Sequence, residues 1–233
     1  MTGSVRLVVF DLDGTLVDSL GHITRAVVET ARKVGVPPPP PDQIPRVIGL
    51  SLDKALHTLF PDVPADLLAD IDRIYRETFY RWRMTPGQLE PLFDGVQEAV
   101  QSFMDAGYVL GIATGKARRG VDALLDGHAL TDAFSTIQTA DSSPSKPNPD
   151  MLLRAMADVG ASPGQTVMIG DTIYDIQMAR AAQTIALGVG WGNHPANELQ
   201  GAGAHALVDR MPQLLHAVER LLVNLPHMEG PEP

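Results

Sequence analysis

Residues 5–15 read VRLVVFDLDGT, an apolar run rich in β-branched residues that stops abruptly at two aspartates. Such a run predicts a buried strand that leads into a loop. Similar runs follow at Tyr108–Ala113, Thr166–Ile169 and Thr184–Leu187. Helical patterns lie between these runs, at Val96–Ala106, Ala117–Leu125, Pro149–Val159 and Tyr174–Ala182. This alternation predicts an α/β fold, a doubly wound parallel sheet with helices on both faces.

The segment Leu16–Pro91 breaks this alternation, because its patterns are helical throughout and are interrupted by the proline run Pro37–Pro41. Proline cannot continue a helix interior, so this run predicts an extended connection between two helices. We interpret the segment as an all-helical cap inserted into the sheet domain. The predicted division is an α/β core of residues 1–16 and 92–224, a cap of residues 17–91 and a flexible tail of residues 225–233.

Composition excludes several classes of protein. The 233 residues are 44% hydrophobic, and 28 acidic residues against 18 basic ones give a net charge of -10, which disfavours a nucleic-acid partner. No apolar run approaches the ~20 residues that span a bilayer, so we expect no membrane association and a cytoplasmic location. The chain has no cysteine, which excludes disulfides, thiolate nucleophiles and cysteine-ligated zinc.

Polar residues follow several of the predicted strands, at the edge of the sheet where ligands bind in this architecture. They are Asp11 and Asp13, Thr114, Lys146, and Asp171 with Asp175. At ~4 Å and an effective dielectric constant near 20, each pair of like charges repels by roughly 4 kcal/mol, so a carboxylate cluster here requires a cation. Hard oxygen ligands favour Mg²⁺.

A magnesium site of this kind leaves room for a phosphate group, because Mg²⁺ commonly binds one or two carboxylates together with a substrate phosphate. The Thr114 hydroxyl and the amides of Gly115 and Lys116 can donate hydrogen bonds to phosphate oxygens. Lys146 can add a positive charge. These four residues are therefore predicted to bind phosphate.

Four segments contain these residues in chain order: DLDGT at residues 11–15, GIATGK at 111–116, SKPNPD at 145–150 and GDTIYD at 170–175. Together they resemble the motifs of the haloacid dehalogenase superfamily of phosphotransferases. The resemblance covers essentially the whole chain. It implies a Rossmann-like core with a helical cap, and an enzyme that transfers or hydrolyses phosphate.

By position, the resemblance implies that Asp11 attacks phosphorus and becomes an aspartyl phosphate. Asp13 is implied to be the general acid and then the general base, since a second carboxyl group can protonate the leaving oxygen and later activate water. Mg²⁺ is implied to bind the Asp11 carboxylate, the Asp13 backbone carbonyl and Asp171, with Asp175 as a ligand or an orienting residue. Their spacing places Asp171 and Asp175 on one helix face if a helix begins close to Asp171.

The retained Asp13 favours phosphoryl chemistry, because dehalogenases of the superfamily lack that residue. Sugar-phosphate mutases carry a Gly-x-Ser-Arg pattern in the cap, whereas this chain has Leu52 after Gly49 and Ser51. A mutase stays an alternative because Arg46 or Lys54 could replace the missing arginine. A noncatalytic phosphate-binding protein is the alternative that is not an enzyme.

The cap carries nine of the 18 basic residues, which favours an anionic substrate. They are Arg25, Arg32, Lys33, Arg46, Lys54, Arg73, Arg76, Arg81 and Arg83. Arg46, Gly49 and Ser51 are the predicted substrate contacts. The cap and the motifs look most like those of phosphoglycolate phosphatases, so the predicted substrate is 2-phosphoglycolate. A pyrophosphatase and a broad-range sugar or nucleotide phosphatase stay open, as do a monomer and a homodimer.

Overall fold

In the computed structural model, which describes residues 5–85 and 87–224, six strands form one sheet. They are β1 (Leu7–Phe10), β2 (Val109–Thr114), β3 (Thr136–Thr139), β4 (Thr166–Gly170), β5 (Ile185–Val189) and β6 (Ala206–Val208). Their order across the sheet is β3-β2-β1-β4-β5-β6, and every neighbouring pair is parallel. The predicted doubly wound parallel sheet is confirmed.

Nine α-helices lie in the described part of the chain. They are α1 (Leu20–Val34), α2 (Leu52–Leu59), α3 (Ala65–Arg83), α4 (Val96–Asp105), α5 (Arg118–Gly127), α6 (Asp150–Val159), α7 (Ile173–Ala181), α8 (Ala196–Gly201) and α9 (Leu214–Asn224). None of them is both long and apolar enough to cross a bilayer.

The two faces of the sheet are covered by different helices. Val8 and Phe10 of β1 pack with α4, α5 and α9 on one face. Leu7 and Val9 pack with α6, α7 and α8 on the other face. Because successive strand side chains point to opposite faces, each strand contributes to both apolar layers, and every residue of β1 is buried.

Helices α1, α2 and α3 form the helical insertion (residues 20–83), which lies between β1 and α4 in the chain and has apolar clusters of its own. The chain enters and leaves the insertion side by side. The backbone N–H of Asp18 donates to the carbonyl of Pro91 at 2.8 Å, and that of Phe93 donates to Leu16 at 3.0 Å. The insertion is all helical, as predicted.

The domain bounds of 1–16, 17–91 and 92–224 stay a prediction. The predicted tail at residues 225–233 lies outside the described residues.

Candidate active site

The site lies at the carboxyl edge of the sheet. Phe10, Ile112 and Ile169 lie side by side in the central strands, so the carboxyl ends of these parallel strands lie at the same edge of the sheet. As a result Asp11, which follows β1, and Asp171, which follows β4, emerge close together. Thr114 ends β2 at the same edge, and all three of these polar side chains are buried.

Three buried carboxylates cluster at this edge of the sheet, and one buried ammonium group pairs with two of them. Asp11, Asp171 and Asp175 each offer an oxygen, and these atoms lie within 4.8 Å of one another. The Lys146 Nζ atom is 3.0 Å from Asp11 Oδ1 and 2.6 Å from Asp175 Oδ1, and the side chain of Lys146 is fully buried. Burial acts to lower the pKa of Lys146, but the charges of Asp11 and Asp175 raise it above its ordinary value. Lys146 is therefore cationic.

Burial and mutual repulsion disfavour the ionised forms of Asp11 and Asp171. Burial raises the pKa of Asp11 well above its ordinary value, although Lys146 acts in the opposite direction. Burial and the charge of Asp175 raise the pKa of Asp171 to about 6, although hydrogen bonds from Asn193 act to lower it. A single lysine does not compensate three buried carboxylates, so a further cation would stabilise the ionised cluster.

Asp171 is held by two residues that the sequence analysis did not assign. Thr15 Oγ1 donates to Asp171 Oδ1 at 2.8 Å, and both the backbone N–H and the side-chain amide of Asn193 donate to Oδ2 at 2.8 Å. A Cβ atom at Gly14 or Gly192 would lie 2.2 Å from a non-hydrogen atom of Asp171. These two glycines therefore allow their loops to approach the carboxylate.

Asp175 holds the start of α7. The helix begins at Ile173, so Asp171 precedes it and the two aspartates do not share a helix face. Asp175 Oδ2 accepts hydrogen bonds from the backbone N–H of Thr172 at 3.0 Å and from its hydroxyl at 2.7 Å. Because its other oxygen pairs with Lys146, Asp175 positions both of these neighbours.

The donor set fits Mg²⁺. Asp11 Oδ2 is buried and has no hydrogen-bond partner among the residues at 5–85 and 87–224. Asp171 supplies a second buried carboxylate, and hard carboxylate oxygens are the ligands that Mg²⁺ prefers. The carboxylate of Asp13 lies outside this group of three, and the resemblance assigned to the metal only the backbone carbonyl of that residue.

Asp13 instead faces a second lysine. Lys116 Nζ is 3.0 Å from Asp13 Oδ1 and 3.4 Å from Glu90 Oε1. The backbone N–H of Lys116 also donates to Thr114 Oγ1 at 3.2 Å. Glu90 is buried next to the return connection from the insertion and belongs to none of the recognised motifs, so no sequence signal pointed to it.

A cavity of about 650 Å³ lies between the sheet edge and the helical insertion. Its wall on the sheet side includes Asp11, Asp13, Thr114, Gly115 and Lys116. Its wall on the insertion side includes Gly49 and Ser51, two of the three predicted substrate contacts. The predicted catalytic residues and much of the predicted phosphate site thus share one cavity.

The helical insertion lies directly against the sheet domain. The backbone N–H of Ser51 donates to Ser145 Oγ at 2.9 Å. Arg46, the third predicted substrate contact, does not line the cavity. Its guanidinium group instead binds both carboxylate oxygens of Glu198, at 2.6 and 3.0 Å. In this conformation Arg46 therefore joins the insertion to the sheet domain.

Buried acidic groups and a buried lysine at the carboxyl ends of parallel strands are typical of an enzyme active site. A sequence model described as Haloacid dehalogenase-like hydrolase matches residues 8–189. The chain belongs to this family of hydrolases, as the motifs predicted.

Individual proteins extend the similarity over nearly the full chain. A Dickeya dadantii protein named Probable phosphatase IndB is 35% identical over 218 residues, which cover 93% of this chain and 94% of that protein. A Vibrio vulnificus phosphoglycolate phosphatase is 29% identical over 222 residues, covering 92% and 96%. The crystal structure of a hydrolase from Pseudomonas syringae superposes with a TM-score of 0.81 at 25% identity, covering 92% and 98% of the two chains.

Proposed function

We propose that the chain is a magnesium-dependent phosphatase that hydrolyses a phosphate monoester through an aspartyl phosphate on Asp11. The observation that carries this proposal is the buried Asp11 carboxylate, which has one oxygen without a hydrogen-bond partner among the described residues and lines the cavity beside Asp171. Relatives that span nearly the whole chain are named phosphatases, which supports the reaction class.

The first step is attack of Asp11 on phosphorus, with release of the alcohol. Lys146, 3.0 Å from Asp11 Oδ1, favours the ionised form of that carboxylate, which is the form that attacks. The Thr114 hydroxyl and the amides of Gly115 and Lys116 are proposed to donate hydrogen bonds to the phosphate oxygens. Bound through Asp11 and Asp171, Mg²⁺ would neutralise negative charge on the carboxylates and the phosphate.

Asp13 is proposed to move the protons. As an acid it protonates the leaving oxygen, and as a base it then takes a proton from the water that hydrolyses the aspartyl phosphate. Its carboxylate lines the cavity and lies 3.0 Å from Lys116 Nζ. The ammonium group of Lys116 is thus placed beside the carboxylate that is left after Asp13 protonates the leaving oxygen.

The first candidate substrate is 2-phosphoglycolate, because several relatives are named phosphoglycolate phosphatases. A second candidate is a larger monoester, which the size and apolar wall of the cavity favour. The cytoplasmic location and the monomeric or homodimeric state predicted from sequence remain expectations, as does the absence of nucleic-acid and membrane partners.

The test is release of inorganic phosphate from a panel of esters with Mg²⁺ and after its removal with a chelator. We expect turnover only with the metal, and we expect Asp11→Asn to reduce kcat by at least ~10⁴-fold because the nucleophile is lost. Asp62→Asn is the matched control, since Asp62 is exposed on the helical insertion. Metal-independent turnover, or comparable activity in Asp11→Asn and the unaltered chain, would refute the proposal.

A further inference from the structure

Most of the wall that the helical insertion contributes to the cavity is apolar. The side chains come from all three helices of the insertion and include Ile23 and Val27 on α1, Leu56 on α2, and Tyr75 and Phe79 on α3. Val27, Leu56 and Phe79 are at most 5% exposed. This apolar wall is continuous with the same cavity that contains Asp11 and Thr114.

A two-carbon acid such as 2-phosphoglycolate fits this wall poorly. With its phosphate at Asp11, it would leave most of the 650 Å³ to water in contact with aliphatic and aromatic side chains. Water in contact with apolar side chains forms fewer hydrogen bonds than water that has two to four polar partners. The free energy of binding therefore favours a ligand that replaces this water with carbon.

The charged residues of the wall lead to the same conclusion. Arg76 binds both oxygens of Asp72, at 2.5 and 3.0 Å. Lys116 Nζ lies between Asp13 and Glu90. A substrate carboxylate at Lys116 would have to displace one of these two buried carboxylates, and breaking a buried ion pair is costly. At Arg76 it would compete with Asp72 for the guanidinium group.

The third cationic residue that lines the cavity, Arg119, lies at the rim. Its guanidinium carbon stacks 3.9 Å from the centre of the Tyr80 ring. Tyr80 and Met84, which also line the cavity, are 47% and 69% exposed. Apolar surface thus continues from the interior to the opening, where a flat or elongated group can enter.

We propose that α1, α2 and α3 form a subsite for an apolar organic group of the substrate, defined by Val27, Leu56 and Phe79. This inference rests on the proposed phosphatase function and specifies its substrate class. The preferred substrates are monoesters of alcohols with an alkyl or aromatic body, ahead of 2-phosphoglycolate and other small acids. The phosphate lies at Asp11, and the organic group extends into the insertion.

The first experiment measures kcat/KM for a series of n-alkyl phosphates from ethyl to hexyl, together with 2-phenylethyl phosphate and 2-phosphoglycolate. These alkyl esters have similar leaving groups, so differences report binding of the organic group. We expect kcat/KM to rise by about two- to fourfold for each added methylene, in line with the free energy of burying one. We expect 2-phosphoglycolate to rank with or below the ethyl ester.

The second experiment fills the subsite. Ala55 lies on α2 and lines the cavity, so Ala55→Leu places three further carbons in the space proposed for the substrate. We expect the ratio of kcat/KM for hexyl phosphate to that for ethyl phosphate to fall at least fivefold. The ratio is insensitive to a fraction of unfolded protein. Thr58→Leu is the matched control on the same helix, because Thr58 is exposed and does not line the cavity.

Binding of alkyl phosphonates, measured by calorimetry in the presence of Mg²⁺, separates the two proposals. Affinity that rises with chain length supports the subsite even if no ester is hydrolysed, in which case only the phosphatase proposal fails. If Asp11-dependent turnover is observed but kcat/KM and phosphonate affinity do not change with chain length, the reaction stands and the subsite is refuted. A higher kcat/KM for 2-phosphoglycolate than for hexyl phosphate also refutes it.

Discussion

Lys146 is fully buried, and its two carboxylate neighbours, Asp11 and Asp175, are equally buried. Removing one partner from a buried ion pair typically costs 3–5 kcal/mol, because the other charge is left uncompensated. The loop that carries Lys146 is therefore tied to the end of β1 and to the start of α7. This single side chain joins three separate stretches of the chain at the site.

Substitutions of Asp11 and Asp13, the two aspartates that follow β1, are expected to block different steps of the reaction. In Asp13→Asn the nucleophile remains, so p-nitrophenyl phosphate should give a burst of about one p-nitrophenol per active site, because its leaving group needs no acid. Steady-state turnover should then be slower by about 10²–10⁴-fold, since the base that activates water is missing. Rapid-mixing absorbance measurements test this.

The matched comparison is Asp11→Asn, which cannot form the phosphoenzyme and should show neither burst nor turnover. A burst in Asp11→Asn would contradict the assignment of Asp11 as nucleophile. Unchanged steady-state turnover in Asp13→Asn would contradict the role of Asp13.

The contact between the loop that follows β2 and the helical insertion depends on Gly115. A Cβ atom there would lie 2.2 Å from the carbonyl oxygen of Leu50 and 2.8 Å from that of Gly49, and these backbone atoms cannot yield as a flexible side chain can. We expect Gly115→Ala to displace the helical insertion and to lower kcat/KM at least about tenfold, because a displaced insertion no longer excludes water from the site.

The control for Gly115→Ala is Gly21→Ala, since among residues 5–85 and 87–224 nothing beyond the adjoining backbone of α1 lies within 4 Å of a Cβ atom at Gly21. Alanine is favoured over glycine in a helix, so this control should keep full activity and equal or higher thermal stability. Full activity in Gly115→Ala would show that close contact of these elements is dispensable.

Arg46 and Glu198 connect the helical insertion to α8. Their side chains are 51% and 33% exposed, and ion pairs that are open to solvent contribute little to stability. We expect Arg46→Ala and Glu198→Ala to lower kcat/KM by similar factors, less than about fivefold. A loss of about 100-fold in Arg46→Ala alone would show that Arg46 contacts the substrate during turnover.

The elements that the sequence predicted well are the buried ones. The runs that became β1, β2, β4 and β5 are apolar because these strands are covered on both faces. Strand β3, with the sequence TIQT, was missed because it forms one edge of the sheet and is mostly polar. Strand β6 forms the opposite edge and has only three residues, too few for a periodic pattern.

Prediction of the site followed the same physical logic. Asp11, Asp171 and Lys146 were predictable because each belongs to a recognisable motif. Two of these motifs lie at strand ends, and the third lies in a proline-rich loop. Asn193 was missed because its role depends on a loop after β5 that folds back to Asp171, a contact 22 residues apart in the chain. The Gly-rich run at residues 188–192 was the available signal, since glycine permits such close approach.

Two adjoining connections join the sheet domain to the helical insertion. An isolated bridge pairs Val17 with Leu92, and hydrogen bonds join Asp18 to Pro91 and Phe93 to Leu16. Because both connections lie together, we expect any rotation of the insertion to be centred on them and to leave the sheet unchanged. Motion of this kind is a way to admit a substrate and then exclude water.

The stability of the metal-free protein should decrease as pH rises from about 4 to about 6. Burial raises the pKa of Asp11, and burial with Asp175 raises that of Asp171 to about 6. Over this range the unfolded chain has released protons that the folded chain still binds, and stability then falls with pH. Above about pH 6 Asp171 is ionised in the folded chain, and the ionised carboxylate is the form that binds Mg²⁺.

Mg²⁺ should therefore stabilise the protein more at about pH 7.5 than at about pH 5, since protons compete with the metal for the carboxylates. At about 100 times its dissociation constant the metal adds about 2.7 kcal/mol, which raises Tm by about 5–10 °C for a chain of this size. Differential scanning calorimetry with and without MgCl₂ measures this shift. Asp171→Asn should strongly reduce the Tm shift caused by Mg²⁺, because Asp171 lies in the carboxylate cluster. Asp62→Asn should leave the shift unchanged, because Asp62 lies outside that cluster. Equal shifts at both pH values, or an unchanged shift in Asp171→Asn, would show that these carboxylates do not hold the metal.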